Sequence, residues 1–138
     1  MKIDIWVSSF GAAKDTEATV AVLVRRGADH HFNIIDLNQL TKNEAELIGI
    51  QYALVALATP MNELELKIST NNPYAYGMFQ MAEGEWHNKP KKNIEIIASI
   101  RDLLSKCSTF EVNLQRSNEF IDKMSNIQRK RRSVSELA

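Results

Sequence analysis

Near residue 40 the hydrophobic period of this chain changes, and that change limits the folds open to it. Before it, three runs with strand character follow one another closely. Residues 2–9 partly alternate, with Ile3, Ile5 and Val7 on one face and Asp4, Trp6 and Ser8 on the other, and the run ends at Phe10-Gly11. A loop over 11–18 leads to a β-prone run at 19–24, Arg25-Arg26-Gly27-Ala28-Asp29 reads as a turn, and residues 31–37 supply a third strand. Connections of hairpin length make these strands an antiparallel meander. After it, Thr41 with Glu44 three residues on fits a capping box, and Leu47, Ile50, Leu54 and Leu57 recur at helical spacing in a run that reaches Ala58.

The rest of the chain alternates between the two periods. Thr59-Pro60-Met61-Asn62 breaks the helix, and Leu64, Leu66, Ile68 and Thr70 then alternate with Glu65, Lys67 and Ser69 as a fourth strand. Asn72-Pro73 opens a short helix through about Met81, since proline is tolerated at the first helical position. Residues 83–92 are polar, with Gly84 and Pro90, and read as a loop. Ile94, Ile97, Ile100 and Leu104 mark an amphipathic helix over 93–106, residues 109–114 form a fifth strand, and Ser117 caps a last helix that runs into a basic end. A strand, helix, strand unit with a long connection is parallel and right-handed, so the expected sheet is mixed, an antiparallel meander on one side and parallel strands on the other. That is an α/β layer architecture.

Composition narrows the setting. With 138 residues the chain is expected to be one compact domain, and 44% hydrophobic with 25% charged residues is ordinary for a globular protein. Cys107 has no partner for an internal disulfide and no companions at metal-site spacing, which excludes a disulfide scaffold and a zinc ribbon and points to a reducing compartment. No apolar stretch approaches the length of a membrane span, and the start of the chain lacks a signal-peptide pattern, so a cytoplasmic location is expected. The formal net charge of zero is unevenly spread: from residue 123 onward Lys123, Arg129, Lys130, Arg131 and Arg132 face one acid, Glu136. The expected organisation is a domain over 2–128 with a basic tail over 129–138. The tail reads either as a phosphate contact or as a solvated helix end that complements the helix dipole.

Two segments then carry a resemblance. Thr41-Lys42-Asn43-Glu44-Ala45-Glu46-Leu47 opens a helix after a three-strand meander, and Ile68-Ser69-Thr70-Asn71-Asn72-Pro73-Tyr74 ends the fourth strand. With Asn118-Glu119-Phe120-Ile121-Asp122 at the start of the last helix, nearly the whole chain resembles the ribonuclease H family. The resemblance implies a ribonuclease H-like fold, a mixed five-stranded sheet flanked by helices. It also implies a site in which four carboxylates hold two divalent ions, Mg²⁺ or Mn²⁺, for hydrolysis of the RNA strand of an RNA–DNA hybrid. The matching positions are Ser8, Glu46, Asn71 and Asp122, so two of the four acids are replaced. The family's glycine-rich loop after the first strand gives way to Ser9-Phe10-Gly11-Ala12-Ala13, and the loop before the last helix is cut to Gln115-Arg116-Ser117.

The replacements matter because two cations roughly 3.5 to 4 Å apart repel each other and need negative oxygen ligands to hold both. Serine and asparagine supply no such charge. Asp4 shares the Ser8 face of the first strand, but four residues at roughly 3.3 Å each leave it about 13 Å away. Glu46 and Asp122 remain as ligands for one weakly held ion; their plainer reading is a first-turn acid favoured by the helix dipole and a helix-surface acid. His30 and His31 fall on opposite faces of a strand and cannot share an ion, and His87 stands alone in a polar loop. Trp86 beside Lys89, Lys91 and Lys92 matches the place where the family grips nucleic acid with a basic, Trp-containing segment, and reads equally as a charged loop with one covering aromatic. Cys107 reads as a small core hydrophobe. The expected function is a catalytically inactive ribonuclease H-like module that binds nucleic acid through these basic segments. The alternatives are a weak metal-dependent ribonuclease H using Glu46 and Asp122, and a protein-interaction module that reuses the fold.

Overall fold

The computed structural model describes residues 1–11, 18–37, 41–57, 59–80, 93–115 and 123. Among the described residues five strands and three helices follow in the order β1 (Lys2–Gly11), β2 (Ala18–Arg26), β3 (Asp29–Leu37), α1 (Lys42–Val55), β4 (Glu65–Thr70), α2 (Pro73–Gln80), α3 (Ile94–Ser105) and β5 (Thr109–Leu114). The strands form one sheet in the order β3-β2-β1-β4-β5. β1 to β3 pair antiparallel, whereas β4 lies parallel to both β1 and β5, so the mixed sheet expected from the alternation of periods is present.

Three expected boundaries move. β1 runs on through Phe10 and Gly11, past the strand stop expected there, because the β2 ladder continues to Phe10 opposite Thr19 and Gly11 opposite Ala18. The turn between β2 and β3 is tighter than the Arg25 to Asp29 span: Arg26 and Asp29 are already paired, leaving Gly27 and Ala28, with Gly27 in the left-handed region at φ 60°. A single 3₁₀ turn over Met61–Glu63 falls where only a helix break was expected. α1 ends at Val55, short of Ala58. The last helix from Ser117, the loop over 83–92 and the 129–138 tail lie outside the described residues.

The core lies between α1 and one face of the sheet. Ile3, Ile5 and Val7 of β1, Val20 and Val22 of β2 and Leu66 and Ile68 of β4 are buried with Ala45, Leu47, Ile50, Ala53 and Leu54 of α1. α3 adds Ile97, Ile100 and Leu104, and Cys107 is partly buried against the same cluster. α1 approaches closely because residue 49 is glycine: a Cβ there would stand 2.5 Å from Val20 Cγ2 and 3.0 Å from Val7 Cγ1. Gln51 Nε2 donates to Ser99 Oγ at 3.1 Å between α1 and α3, and an Arg101 guanidinium nitrogen donates to the Met78 carbonyl at 2.6 Å between α3 and α2. None of the described helices is long and apolar enough to cross a membrane.

Candidate functional site

Register explains why polar residues gather at one end of the sheet. The parallel ladder between β1 and β4 ends with Val7 opposite Thr70, so Ser8 and Asn71 are the next residues out on adjacent strands. Asn71 Nδ2 donates to Ser8 Oγ at 3.1 Å and bridges the two strand ends. Thr70 is on the α1 side of β4, like Ile68, and its hydroxyl donates to Glu46 Oε1 while accepting from the Asn72 amide at 3.1 Å. Asn72 then caps α2: its Oδ1 accepts from the amides of Tyr74 at 2.9 Å and Ala75 at 3.2 Å, and its Nδ2 donates to Asn43 Oδ1 at 2.9 Å. One hydrogen-bonded chain therefore joins β4, α1 and α2.

Glu46 enters this cluster from α1. Thr41 caps the helix, accepting from the Glu44 amide at 3.2 Å, while its hydroxyl donates to the Glu44 carboxylate at 3.2 Å. Glu44 is thus the first-turn acid. Glu46 lies one turn before Ile50 on the face turned to the sheet, where it has no solvent exposure. Its reading as a first-turn dipole acid is corrected by that placement. Burial raises its pKa from 4.5 to about 7, against the lowering effects of Ser9, Thr70 and the Lys42 charge. Ser9 acts on the carboxyl through its hydroxyl and main chain, yet its Oγ closes no well-formed hydrogen bond. Ser9 Oγ, Glu46 Oε2 and Asn71 Oδ1 are buried without a partner among the described residues.

The sequence positions Ser8, Glu46 and Asn71 are therefore brought to one end of the sheet. Asp122, Trp86, Lys89, Lys91, Lys92, Arg129, Lys130, Arg131 and Arg132 lie outside the described residues. His30 and His31 stand exposed in β3, pointing to opposite faces as expected. Ser9, Thr70, Asn72 and Asn43 complete the cluster and were not singled out as site residues from the sequence. Asn72 was legible as a cap, and Thr70 could have been found from its place two residues after Ile68 on a buried strand face.

Among the described residues the donor set does not fit a two-cation centre. No group of three His, Cys, Asp or Glu side chains that could hold a metal occurs among the described residues. The cluster offers one carboxylate, with one oxygen already taken by Thr70, and Asn71 adds only a neutral Oδ1, its Nδ2 donating to Ser8. Adding Asp122 would bring the acids to two where two divalent ions carry four positive charges.

No protein-family model and no curated protein matches the chain. Among solved structures it is similar to the N-terminal RNase H domain of a Mycobacterium tuberculosis protein, solved as a fusion with maltose-binding protein, with 17% identity, a TM-score of 0.70 and 98% of each chain covered. The fold of this chain is ribonuclease H-like.

Proposed function

We propose that this chain is a ribonuclease H-like module that binds nucleic acid, an RNA–DNA hybrid or a structured nucleic acid, without cleaving it. The observation that carries the reading is the Asn71–Ser8 hydrogen bond: where the family resemblance implies two facing acids, two neutral side chains bridge the strand ends. Hydrolysis through paired divalent ions needs charge at those positions, and these residues supply none. Binding does not need it. Phosphate contacts from lysine and arginine provide most nonspecific affinity, and Trp86, Lys89, Lys91, Lys92 and the Arg129, Lys130, Arg131, Arg132 run are the groups proposed to make them. A reducing, cytoplasmic setting goes with this reading, since the chain carries a single free cysteine.

Filter binding of the full chain to hybrid, duplex and single strands at two salt concentrations, paired with a cleavage assay in Mg²⁺ and Mn²⁺, tests the proposal. Salt-dependent retention of nucleic acid with intact RNA is the expected result. Metal-dependent RNA cleavage that is lost in Glu46→Gln would establish the enzyme reading instead. No retention at either salt would leave the fold as a protein-interaction module.

A further inference from the structure

We infer that the polar end of the sheet is a cation-independent clasp, in which the Asn71–Ser8 and Thr70–Glu46 hydrogen bonds join β4 to β1 and α1 without any divalent ion. The implied metal and the residues present disagree, and the disagreement has a structural reading. A cluster of four carboxylates repels itself and becomes cohesive only when cations enter it. Here the same strand ends are held by donors and acceptors already paired with each other. Asn71 Nδ2 reaches Ser8 Oγ at 3.1 Å, one step past the last ladder pair of β1 and β4. Thr70 is used twice, donating to Glu46 and accepting from the Asn72 amide, so the strand end, α1 and the α2 cap form one connected set. Ser8, Ser9, Glu46, Thr70 and Asn72 are all buried, and hydrogen bonds at such sites are costly to leave unmade. The remaining partnerless atoms, Ser9 Oγ, Glu46 Oε2 and Asn71 Oδ1, include one carboxylate oxygen and two neutral ones, a set with too little charge for a pair of divalent ions.

The inference shares its neutral strand end with the non-cleaving reading but does not depend on nucleic-acid binding, so melting curves and filter binding can fail separately. Thermal unfolding of the full chain in EDTA, in MgCl₂ and in MnCl₂, with NaCl at matched ionic strength as reference, is the test. The unsubstituted chain should melt within about 1 °C in all of them, whereas Asn71→Ala and Ser8→Ala should each lower Tm by roughly 3 to 6 °C, equally in chelator and in metal. A saturable rise of about 3 °C or more with Mg²⁺ or Mn²⁺ in the unsubstituted chain, or an unchanged Tm in both alanine variants, overturns the inference. Calorimetry of the unsubstituted chain with MnCl₂ needs no variant to fold: absence of binding heat supports the clasp, and one or two saturable sites refute it. The double change Ser8→Asp with Asn71→Asp removes the bridge and adds two charges, so its Tm should fall in EDTA and recover by about 5 °C or more with Mn²⁺, as ligand linkage requires. Equal Tm in chelator and metal for that variant would show that these positions do not stand where cations would.

Discussion

Replacing Glu46 by glutamine removes one proton-binding group from the buried cluster while keeping an oxygen for the Thr70 hydroxyl. The substitution therefore isolates the titration from the hydrogen bond. In the folded chain burial raises the Glu46 pKa from 4.5 to about 7. Below pH 4.5 folded and unfolded chains both hold the proton. Between 4.5 and about 7 only the folded chain holds it, so unfolding releases a proton and stability falls as pH rises, by about 1.4 kcal/mol per pH step. Above about 7 both states are ionised and the loss is complete. Over the whole window the difference amounts to about 3 kcal/mol. Urea unfolding of the unsubstituted chain and of Glu46→Gln at several pH values from 4 to 9 measures it. The stability of the unsubstituted chain relative to the variant should decline by about 3 kcal/mol across the series, a relative midpoint shift of roughly 1.5 to 2 M urea. Parallel curves would refute the argument. A relative gain with rising pH would also refute it, because it would mean that the folded state stabilises the carboxylate.

Three further outcomes follow from the packing, the cap and the tail. Gly49→Ala should cost about 1 to 2 kcal/mol in urea unfolding, since overpacking against the stiff Val20 outweighs the gain in helix propensity, and Val20→Ala in the same chain should recover part of that loss. Asn72→Ala removes the α2 cap and the bond to Asn43 together and should lower stability by about 1 to 2 kcal/mol with no change in unfolding slope. Deleting residues 129–138 should leave the melting temperature unchanged and flatten the salt dependence of nucleic-acid binding by about 0.7 to 0.9 for each phosphate no longer neutralised, as read by filter binding; an unchanged slope would remove the tail from the binding surface.

The elements legible in the sequence are those fixed by local rules. The Thr41 cap, the Asn72-Pro73 helix start and the alternation from Leu64 to Thr70 each appear where chain chemistry placed them. β5 keeps its expected bounds because its alternation is bracketed in sequence by the polar residues Ser108 and Gln115. What escaped depends on long-range placement. β1 reads as ending near Ser9 because Phe10-Gly11 resembles a strand stop, whereas the ladder to β2 carries it on. Glu46 reads as a first-turn acid favoured by the helix dipole if only its distance from the helix start is considered. The Ile50 and Leu54 stripe extended back one turn lands on position 46, and that periodicity was the available sign of its burial. Nothing local marks Ser9 or Asn43 as members of the cluster, since each joins it through a residue distant along the chain.

On the non-cleaving reading proposed above, fold and chemistry make different demands on this chain. The sheet needs alternation and register, and α1 needs an apolar face with a glycine where it meets Val7 and Val20. Many side chains meet those demands equally well, so a TM-score of 0.70 is compatible with 17% identity. Two-ion hydrolysis of the kind the family resemblance implies would tolerate far less, because charge at its ligand positions cannot be replaced by volume or by periodicity. Ser8 and Asn71 lie beyond the last pair of the β1–β4 ladder and contribute nothing to the apolar core, so the fold accepts neutral residues there provided their polar atoms find partners. The Asn71–Ser8 bridge supplies that condition for Asn71 Nδ2 and Ser8 Oγ. Packing of the apolar framework therefore places no demand for charge at these two positions.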